Sequence, residues 1–172
     1  MRITISGLAG AGTTTVAKML ASKLDYILIS AGEIFREMAK KRNCSLEQFS
    51  KIAENDSEID LYIDRMQKEL AEKEDNAVVE GRLSGWMIED AFKVFIFAEP
   101  DIRYSRIAKR EHKDINQARE ETVKREKYER RRYKKFYGID IDDWSIYHLI
   151  LNSGYFEAEE IVEIILKAVE YV

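Results

Sequence analysis

The first fifteen residues restrict what this chain can fold into more than any other stretch. Ile3 and Ile5 form a short apolar run typical of a strand, and glycines at positions 7, 10 and 12 follow it. The next apolar residues recur at helical spacing: Val16, Ala17, Leu20, Ala21 and Leu24. A strand that runs into a helix through a glycine-rich turn predicts an α/β domain.

The glycine turn follows the pattern G-x-x-x-x-G-K-[ST], except that Thr13 stands where a lysine is expected. Glycine lacks the Cβ atom that would keep an anion away from the backbone, and the start of a helix favours negative charge. Thr14 takes the position whose hydroxyl normally ligates Mg²⁺. The sequence therefore predicts a phosphate-binding loop formed by Gly7, Leu8, Ala9, Gly10, Ala11, Gly12, Thr13, Thr14 and Thr15. An ordinary strand-to-helix connection is the alternative interpretation, and the missing lysine weakens the case for catalysis more than for binding.

Composition narrows the class of protein. With 172 residues the chain is long enough for one domain with its own core, and its net charge of −4 argues against a general nucleic-acid-binding protein. Cys44 is the only cysteine, which excludes an internal disulfide and fits the cytoplasm. No apolar stretch approaches membrane-spanning length. We therefore expect a single cytoplasmic domain without a nucleic-acid or membrane partner.

Four later apolar runs predict further strands, at residues 26–30, 76–82, 93–98 and 148–152. Helical spacing follows each of them. This alternation predicts a five-stranded parallel sheet with right-handed crossovers and helices on both faces. We expect the run at 26–30 to be a buried strand.

Two helices are predicted between the second and third strands, within residues 45–73. Ser45 and Gln48 have the spacing of a capping box at the start of the first helix. The polar residues 55–57 separate the two helices. The predicted buried face of the second helix consists of Ile59, Ile63, Met66 and Leu70. We expect this pair to form a small helical region over a substrate.

Polar residues follow two of the predicted strands. Ser30 ends the second strand, and Glu33 three residues later gives it the spacing of a helix N-cap, an interpretation at least as good as ligand contact. Glu80, Gly81 and Arg82 end the third strand. Because ligands of open parallel sheets lie outside the carboxyl ends of the strands, we expect Glu80 and Arg82 beside the glycine loop. A solvated ion pair at an ordinary strand end is the alternative.

Positive charge is concentrated in one segment. Between Arg103 and Lys135 there are 14 Lys and Arg residues against 6 Asp and Glu, although the whole chain is acidic. Such a segment is expected to face an anionic group. We interpret residues 114–135 as a helical, mobile flap that closes over polyphosphate. Its predicted functional residues are Arg125, Arg131 and Arg132.

Several of these segments together resemble the nucleoside monophosphate kinases, and most closely the cytidylate kinases of archaeal type. The resemblance rests on residues 7–15, 30–36, 80–82, 125–133 and 137–142. It covers the whole chain and implies a P-loop kinase fold with one domain over residues 1–172. It also implies a helical region for the nucleoside monophosphate at about 31–73 and a short helical lid at about 111–138.

The resemblance also implies an activity: transfer of the γ-phosphoryl group of ATP to CMP, or to dCMP, by a monomer that uses Mg²⁺. Arg36 and Arg82 would hold the acceptor phosphate, and Thr14 would hold the metal with Glu80 acting through water. The implied catalytic residues are Arg82, Arg125, Arg131 and Arg132. The acceptor site would comprise Ser30, Gly32, Arg36, Gly81, Arg82, Arg110, Asp140 and Asp142, the last three having chemistry suited to cytosine.

Two departures from the wider family keep other functions open. Thr13 replaces the loop lysine, although threonine there resembles the archaeal branch, and Glu80 stands where related kinases often have aspartate. A kinase for AMP or UMP, or a non-catalytic ATP sensor, is therefore an alternative. The many arginines disfavour a sensor, and the lack of an N-K-x-D sequence disfavours a GTP-hydrolysing switch.

Overall fold

The computed structural model describes residues 1–172. Its five strands are β1 (Arg2–Ser6), β2 (Ile27–Ser30), β3 (Ala77–Glu80), β4 (Phe92–Phe97) and β5 (Leu149–Asn152). They form one sheet in the order β2-β3-β1-β4-β5, and all four strand pairs are parallel. The predicted parallel sheet is confirmed, with strand boundaries that differ by one or two residues.

Eight helices connect and cover the strands. They are α1 (Thr13–Leu24), α2 (Ala31–Lys41), α3 (Leu46–Asn55), α4 (Ser57–Glu72), α5 (Ser84–Met87), α6 (Pro100–Glu111), α7 (Ile115–Tyr137) and α8 (Ala158–Val169). None of these helices combines the length and the apolar character needed to cross a bilayer.

The strand order determines where a ligand can sit. After β1 the chain builds β2 and β3 on one side of the sheet, and then β4 and β5 on the other. The carboxyl ends of β3, β1 and β4 therefore border the point where the winding direction changes. A crevice forms there in open parallel sheets, and the glycine loop that follows β1 lies at this point.

The main core packs the central strands against α1 and α8. Ile3, Ile5, Leu20, Ile96 and Ile161 in this core are fully buried. The predicted apolar stripe of α1 is confirmed, since Val16, Ala17, Leu20 and Ala21 are all buried. Burial of the isoleucine, leucine and valine side chains, at about 1.5–3 kcal/mol each, holds the strand–loop–helix unit in place.

The prediction that the second strand is buried is wrong for its first half. Ile27 is 50% exposed, whereas Ile29 and Ser30 are buried. The reason is topological, because β2 is an edge strand that pairs only with β3. Its apolar sequence alone does not reveal the edge position.

The predicted buried face of α4 is also partly wrong. The structure buries Ile59, Ile63, Gln67 and Ala71, whereas Met66 and Leu70 are only half-buried. A polar residue takes a core position because its amide group finds backbone partners, which a search for apolar periodicity overlooks. The capping box of Ser45 and Gln48 at α3 is confirmed.

Helix α7 forms most of the predicted lid. It begins after Asp114, whose carboxylate caps its first turn, and ends at Gly138, which has a φ of 69°. The buried residues of this helix are mostly polar: Ala118, Thr122, Glu126, Glu129, Arg132 and Tyr133. The helix therefore docks on the body of the protein through polar and charged groups as well as through apolar contacts. The predicted helical stretch is confirmed, and its mobility stays a prediction.

Candidate functional site

The glycine loop between β1 and α1 has a backbone that only glycine suits at two positions. Gly10 has a φ of 81°, and a Cβ atom there would lie 2.6 Å from the carbonyl oxygen of Arg103. Gly12 has a φ of 89° at the N-cap of α1. Left-handed backbone of this kind costs other residues roughly 1 kcal/mol or more.

The start of α1 differs from the starts of α2, α3, α4 and α7. Those four helices have Ser or Asp side chains that accept hydrogen bonds from first-turn amides. Helix α1 has no side-chain cap and no acidic residue in its first turn. Its first amides therefore keep their donor capacity and their partial positive charge for an anion.

Three side chains hold the loop from the side of α6 and β5. Arg103 donates to the Ala9 carbonyl oxygen at 2.9 Å, and the Ser153 hydroxyl donates to that of Ala11 at 2.6 Å. Arg106 in turn donates to the Ser153 carbonyl oxygen at 2.6 Å. In a trans peptide the next amide points away from the carbonyl. The amides of residues 10 and 12 therefore point away from Arg103 and Ser153, which bind the preceding carbonyl groups.

Glu80 links the loop to the second strand. Its Oε1 accepts hydrogen bonds from the hydroxyls of Thr13 at 2.8 Å and Thr14 at 3.2 Å. Its Oε2 accepts one from the Ser30 hydroxyl at 2.7 Å. Glu80 is only 8% exposed, so it is not the solvated ion pair of the alternative interpretation. The strand order places it beside the loop, as expected.

Ser30 also acts as the N-cap of α2, because its hydroxyl oxygen accepts a hydrogen bond from the Glu33 amide at 3.4 Å. The capping prediction is confirmed. A direct contact between Ser30 and a ligand stays a prediction. Gly32 lies in the first turn of the same helix, and Arg36 one turn further on is exposed and 3.8 Å from Glu33.

Gln67 is a structural element of the site that apolar periodicity in the sequence does not predict. Its buried amide donates hydrogen bonds to the carbonyl oxygens of Glu80 at 2.7 Å and Ile29 at 3.3 Å. Gly81 makes room for it, since a Cβ atom there would lie 3.0 Å from Gln67 Oε1. Gln67 therefore ties α4 to the carboxyl ends of β2 and β3.

The structure brings Arg82 and Arg125 together on Glu129 of the lid helix. Arg82 Nε lies 3.0 Å from Glu129 Oε2, and Arg125 Nε donates to Glu129 Oε1 at 3.0 Å. Burial opposes the charge of Arg82, but nearby carboxylates, Glu129 foremost, hold its pKa above the ordinary value. Two predicted catalytic arginines thus meet at Glu129, a carboxylate that was not among the predicted site residues.

Arg132 lies elsewhere. It is buried, with Nη1 3.4 Å from Asp60 and 3.6 Å from Asp64, both on α4. The Tyr137 hydroxyl donates to Asp64 at 2.9 Å. Burial raises the pKa of Asp64 to about 6, although the Arg132 guanidinium favours its charged form. Arg132 therefore joins the lid helix to the helical region at 31–73, and its contacts here are not with the glycine loop.

The remaining predicted residues are not assembled into one group. Arg131 is exposed. Arg110 pairs with its neighbour Glu111 at 2.8 Å. Asp142 accepts two hydrogen bonds from Arg130, and Asp140 accepts one from the Asp142 amide. The predicted cytosine-reading set of Arg110, Asp140 and Asp142 therefore stays a prediction.

The donor set around Glu80 suits Mg²⁺, which prefers hard oxygen ligands and is commonly held by one or two carboxylates together with substrate phosphates. Threonine hydroxyls and one carboxylate are present at the loop. No group of three or more His, Cys, Asp or Glu side chains is arranged to hold a metal ion. An ion at this place would therefore take water and phosphate oxygens as further ligands.

The strand order, the glycine loop and the open start of α1 define a P-loop kinase fold. The solved structures support this class. A protein from Eubacterium ventriosum ATCC 27560, described as uncharacterized, has a TM-score of 0.73 at 21% identity, over 99% of this chain and 98% of that one. Shikimate kinase from Bacteroides thetaiotaomicron has a TM-score of 0.66 at 17% identity, over 99% and 98%. At these identities the likeness shows the fold alone.

Sequence relatives identify the family. The cytidylate kinase-like family matches residues 2–155. The cytidylate kinase of Archaeoglobus fulgidus is 63% identical over 171 residues, which cover 99% of this chain and 95% of that protein. That of Methanocorpusculum labreanum is 51% identical over 170 residues, covering 98% and 96%. The chain belongs to the cytidylate kinase-like family, which confirms the resemblance found in its motifs.

Proposed function

We propose that this protein transfers the γ-phosphoryl group of ATP to CMP, or to dCMP, and releases ADP and the corresponding diphosphate. Family membership and the names of the relatives support the choice of reaction. The structural observation that carries it is the position of Glu80. One buried carboxylate binds the loop threonines on one side and Ser30, at the entrance to the 31–73 region, on the other.

The loop and α1 supply the donor side of the site. The amides of residues 10 and 12 and the first turn of α1 would hold the phosphates of ATP. Arg36 and Arg82 would grip the phosphate of the acceptor. Mg²⁺, held by Thr14 and through water by Glu80, would supply positive charge to the phosphate oxygens. Its donor set fits, as described above.

Phosphoryl transfer requires little covalent catalysis by the protein. Alignment of donor and acceptor, together with positive charge around the transferring group, lowers the barrier. Arg82 and Arg125 come from different parts of the chain and approach the same carboxylate within 3.0 Å. They can therefore approach one phosphoryl group as well. Together with Arg131 they would supply the charge that the loop lysine does not.

The lid and the 31–73 region already meet through Arg132, Tyr137 and Asp64. This contact supports closure of the two regions over the reacting phosphates, which would keep water from hydrolysing ATP. All of the groups named come from one chain, which is consistent with a monomer. Cytosine presents an amino donor beside two acceptors, and Arg110, Asp140 and Asp142 remain the residues we propose for reading it.

A coupled assay of ADP formation tests the proposal. The enzyme receives ATP and Mg²⁺ with CMP, dCMP, UMP, AMP or dTMP in turn, and ATP alone is the control. We expect the highest kcat/KM with CMP or dCMP. A higher value with AMP or UMP would change the acceptor but keep the reaction. If no monophosphate released ADP above the control, the kinase assignment would fail and the ATP sensor would be the remaining alternative.

A further inference from the structure

Glu129 occupies an unusual position for a carboxylate. It lies on the lid helix, its side chain is only 8% exposed, and both of its oxygens face arginines. Arg125 comes from the same helix one turn earlier, and Arg82 from the end of β3. Both arginines belong to the group proposed to act on phosphate. An acid therefore sits where two phosphate-binding cations converge.

The contact with Arg82 is close but poorly aligned. Arg82 Nε and Glu129 Oε2 are 3.0 Å apart, yet neither atom makes a hydrogen bond and both are buried. Buried polar atoms without hydrogen bonds are costly. The geometry thus supplies charge attraction without the directional bond. A group with better placed oxygens would bind Arg82 more strongly than Glu129 does.

A neighbouring acid on the same helix provides a contrast. Glu126 is equally buried, and it accepts an aligned hydrogen bond from Arg103 at 2.6 Å. Arg103 also donates to the Ala9 carbonyl oxygen, so it is engaged with the back of the loop. The pair of Glu126 and Arg103 is a structural contact. The pair of Glu129 and Arg82 lacks an aligned hydrogen bond, and its arginine is one that we propose to bind phosphate.

Phosphoryl oxygens have the chemistry to replace Glu129. A phosphate carries more charge than a carboxylate and offers three acceptor oxygens to guanidinium groups. Arg125 is 65% exposed, so its remaining nitrogens are accessible to an incoming anion. Because Glu129 lies on α7, its release from Arg82 would also remove one of the contacts between the lid helix and the end of β3.

We propose that Glu129 competes with a substrate phosphoryl group for Arg82 and Arg125, and holds both arginines until that group displaces it. This inference rests on the proposed function. The competition lowers the apparent affinity for the acceptor, since binding must first break the contact between Glu129 and Arg82. It also keeps the two cations together, so that the phosphoryl group meets both of them at once.

Calorimetric titration with CMP tests this role. Glu129→Gln keeps the shape of the side chain but removes its charge, so we expect the Kd for CMP to fall by at least about threefold. Glu126→Gln removes the same charge from the structural pair, and Glu120→Gln removes it from an exposed position of α7. Neither control should tighten binding to the same extent. A merely structural Glu129 would give weaker binding when substituted.

An unchanged or raised Kd in Glu129→Gln, or an equal fall in either control, would overturn the inference. If Glu129→Gln does not fold, Glu129→Asp decides by the same comparison, because its carboxylate is set back by one methylene from both arginines and should hold them less tightly. Turnover of the wild type distinguishes a failure of the proposed function from a failure of the role of Glu129. Absence of CMP phosphorylation in the wild type rejects the proposed function, whereas wild-type turnover without tighter binding in the variant rejects only the role of Glu129.

Discussion

The Ser30 hydroxyl donates a hydrogen bond to Glu80 Oε2 across 2.7 Å, inside the protein and between the ends of two neighbouring strands. The same Ser30 oxygen caps α2, and the other oxygen of Glu80 accepts from Thr13 and Thr14. Two hydrogen-bonded side chains therefore connect the phosphate loop to the helical region at 31–73. Changes to Glu80 should affect both.

Glu80→Gln should lower the free energy of unfolding by about 1–3 kcal/mol. Three hydroxyls donate to the carboxylate, whereas an amide has one acceptor oxygen and one group that is itself a donor. Urea unfolding measures the loss, and ADP formation should fall in parallel. Glu69→Gln, at an exposed position of α4, is the matched control. Equal stability of the two variants would contradict the role given to Glu80.

Arg82→Ala should lower kcat by about 10³-fold, the lower end of the effect of an arginine acting on a transferring phosphoryl group. Glu129 keeps its hydrogen bond from Arg125, but its buried Oε2 loses the neighbouring cation, so the melting temperature should fall as well. Arg82→Lys should recover part of the rate, because lysine restores the charge but not the planar fork.

Arg65→Ala, which removes an exposed arginine of α4, controls for the loss of one positive charge. Steady-state kinetics with CMP and ATP measure all three variants. A kcat for Arg82→Ala within about tenfold of the wild type would remove Arg82 from the chemistry.

Gly10→Ala and Gly138→Ala separate backbone strain from steric clash. Both glycines have positive φ, of 81° and 69°. Only at Gly10 would a Cβ atom meet backbone, 2.6 Å from the Arg103 carbonyl oxygen, whereas nothing lies within 4 Å at Gly138. We expect a loss of about 1 kcal/mol for Gly138→Ala and clearly more for Gly10→Ala.

Gly10→Ala should also raise the Kd for ATP by more than about tenfold, because the loop amides would shift with the backbone. Thermal unfolding and calorimetry with ATP provide the two measurements. Equal destabilisation by the two substitutions would mean that the close packing of the loop against α6 is unimportant.

Asp64 should make stability depend on pH. Burial raises its pKa from the ordinary 3.8 to about 6, and the charged or titrating groups around it are Arg132, Tyr137, Asp60 and Glu129. Between these pH values the folded protein binds more protons than the unfolded chain, so stability falls as pH rises. The part of this fall in the free energy of unfolding that is due to Asp64 amounts to at most about 3 kcal/mol. It ends once the pH exceeds the pKa of Asp64 in the folded protein.

Asp64→Asn removes this titration. Urea unfolding at several pH values from about 4 to 7 should show that the stability advantage of the wild type over the variant shrinks as pH rises. Asp75→Asn, at an exposed position, is the control and should run parallel to the wild type. If the free energy of unfolding of Asp64→Asn ran parallel to that of the wild type over this pH range, the raised pKa of Asp64 would be contradicted.

The fold was predictable because its signals are local. Each strand is a compact apolar run, each helix has its own periodicity, and the capping residues Ser30 and Ser45 mark two helix starts. The wrong predictions concern burial that depends on distant parts of the chain. Ile27 is exposed because β2 lies at the edge of the sheet, and Gln67 is buried because two carbonyl oxygens accept from it. The residues next to Ile27 and Gln67 in the sequence do not reveal the burial of either side chain.

The site was predictable where strand topology determines it. The carboxyl ends of parallel strands meet at one edge, which brings Glu80 to the loop threonines. The partners of the arginines were not predictable. Glu129 lies on a highly charged helix, and Asp64 lies outside the predicted apolar face of α4. The packing of α7 against the body, which local sequence does not show, removes most of both side chains from solvent. The count of arginines in the basic segment does not show that Arg132 faces α4.

The central claim is that the loop amides and the arginines Arg82 and Arg125 converge on one chain of phosphates. A crystal structure with CMP and ATP joined through their phosphates in a single inhibitor tests it most directly. We predict phosphate oxygens within hydrogen-bond distance of the loop amides and of both guanidinium groups, with Glu129 moved away from Arg82. Arginines directed into solvent, or still bound to Glu129 with the inhibitor in place, would contradict the account.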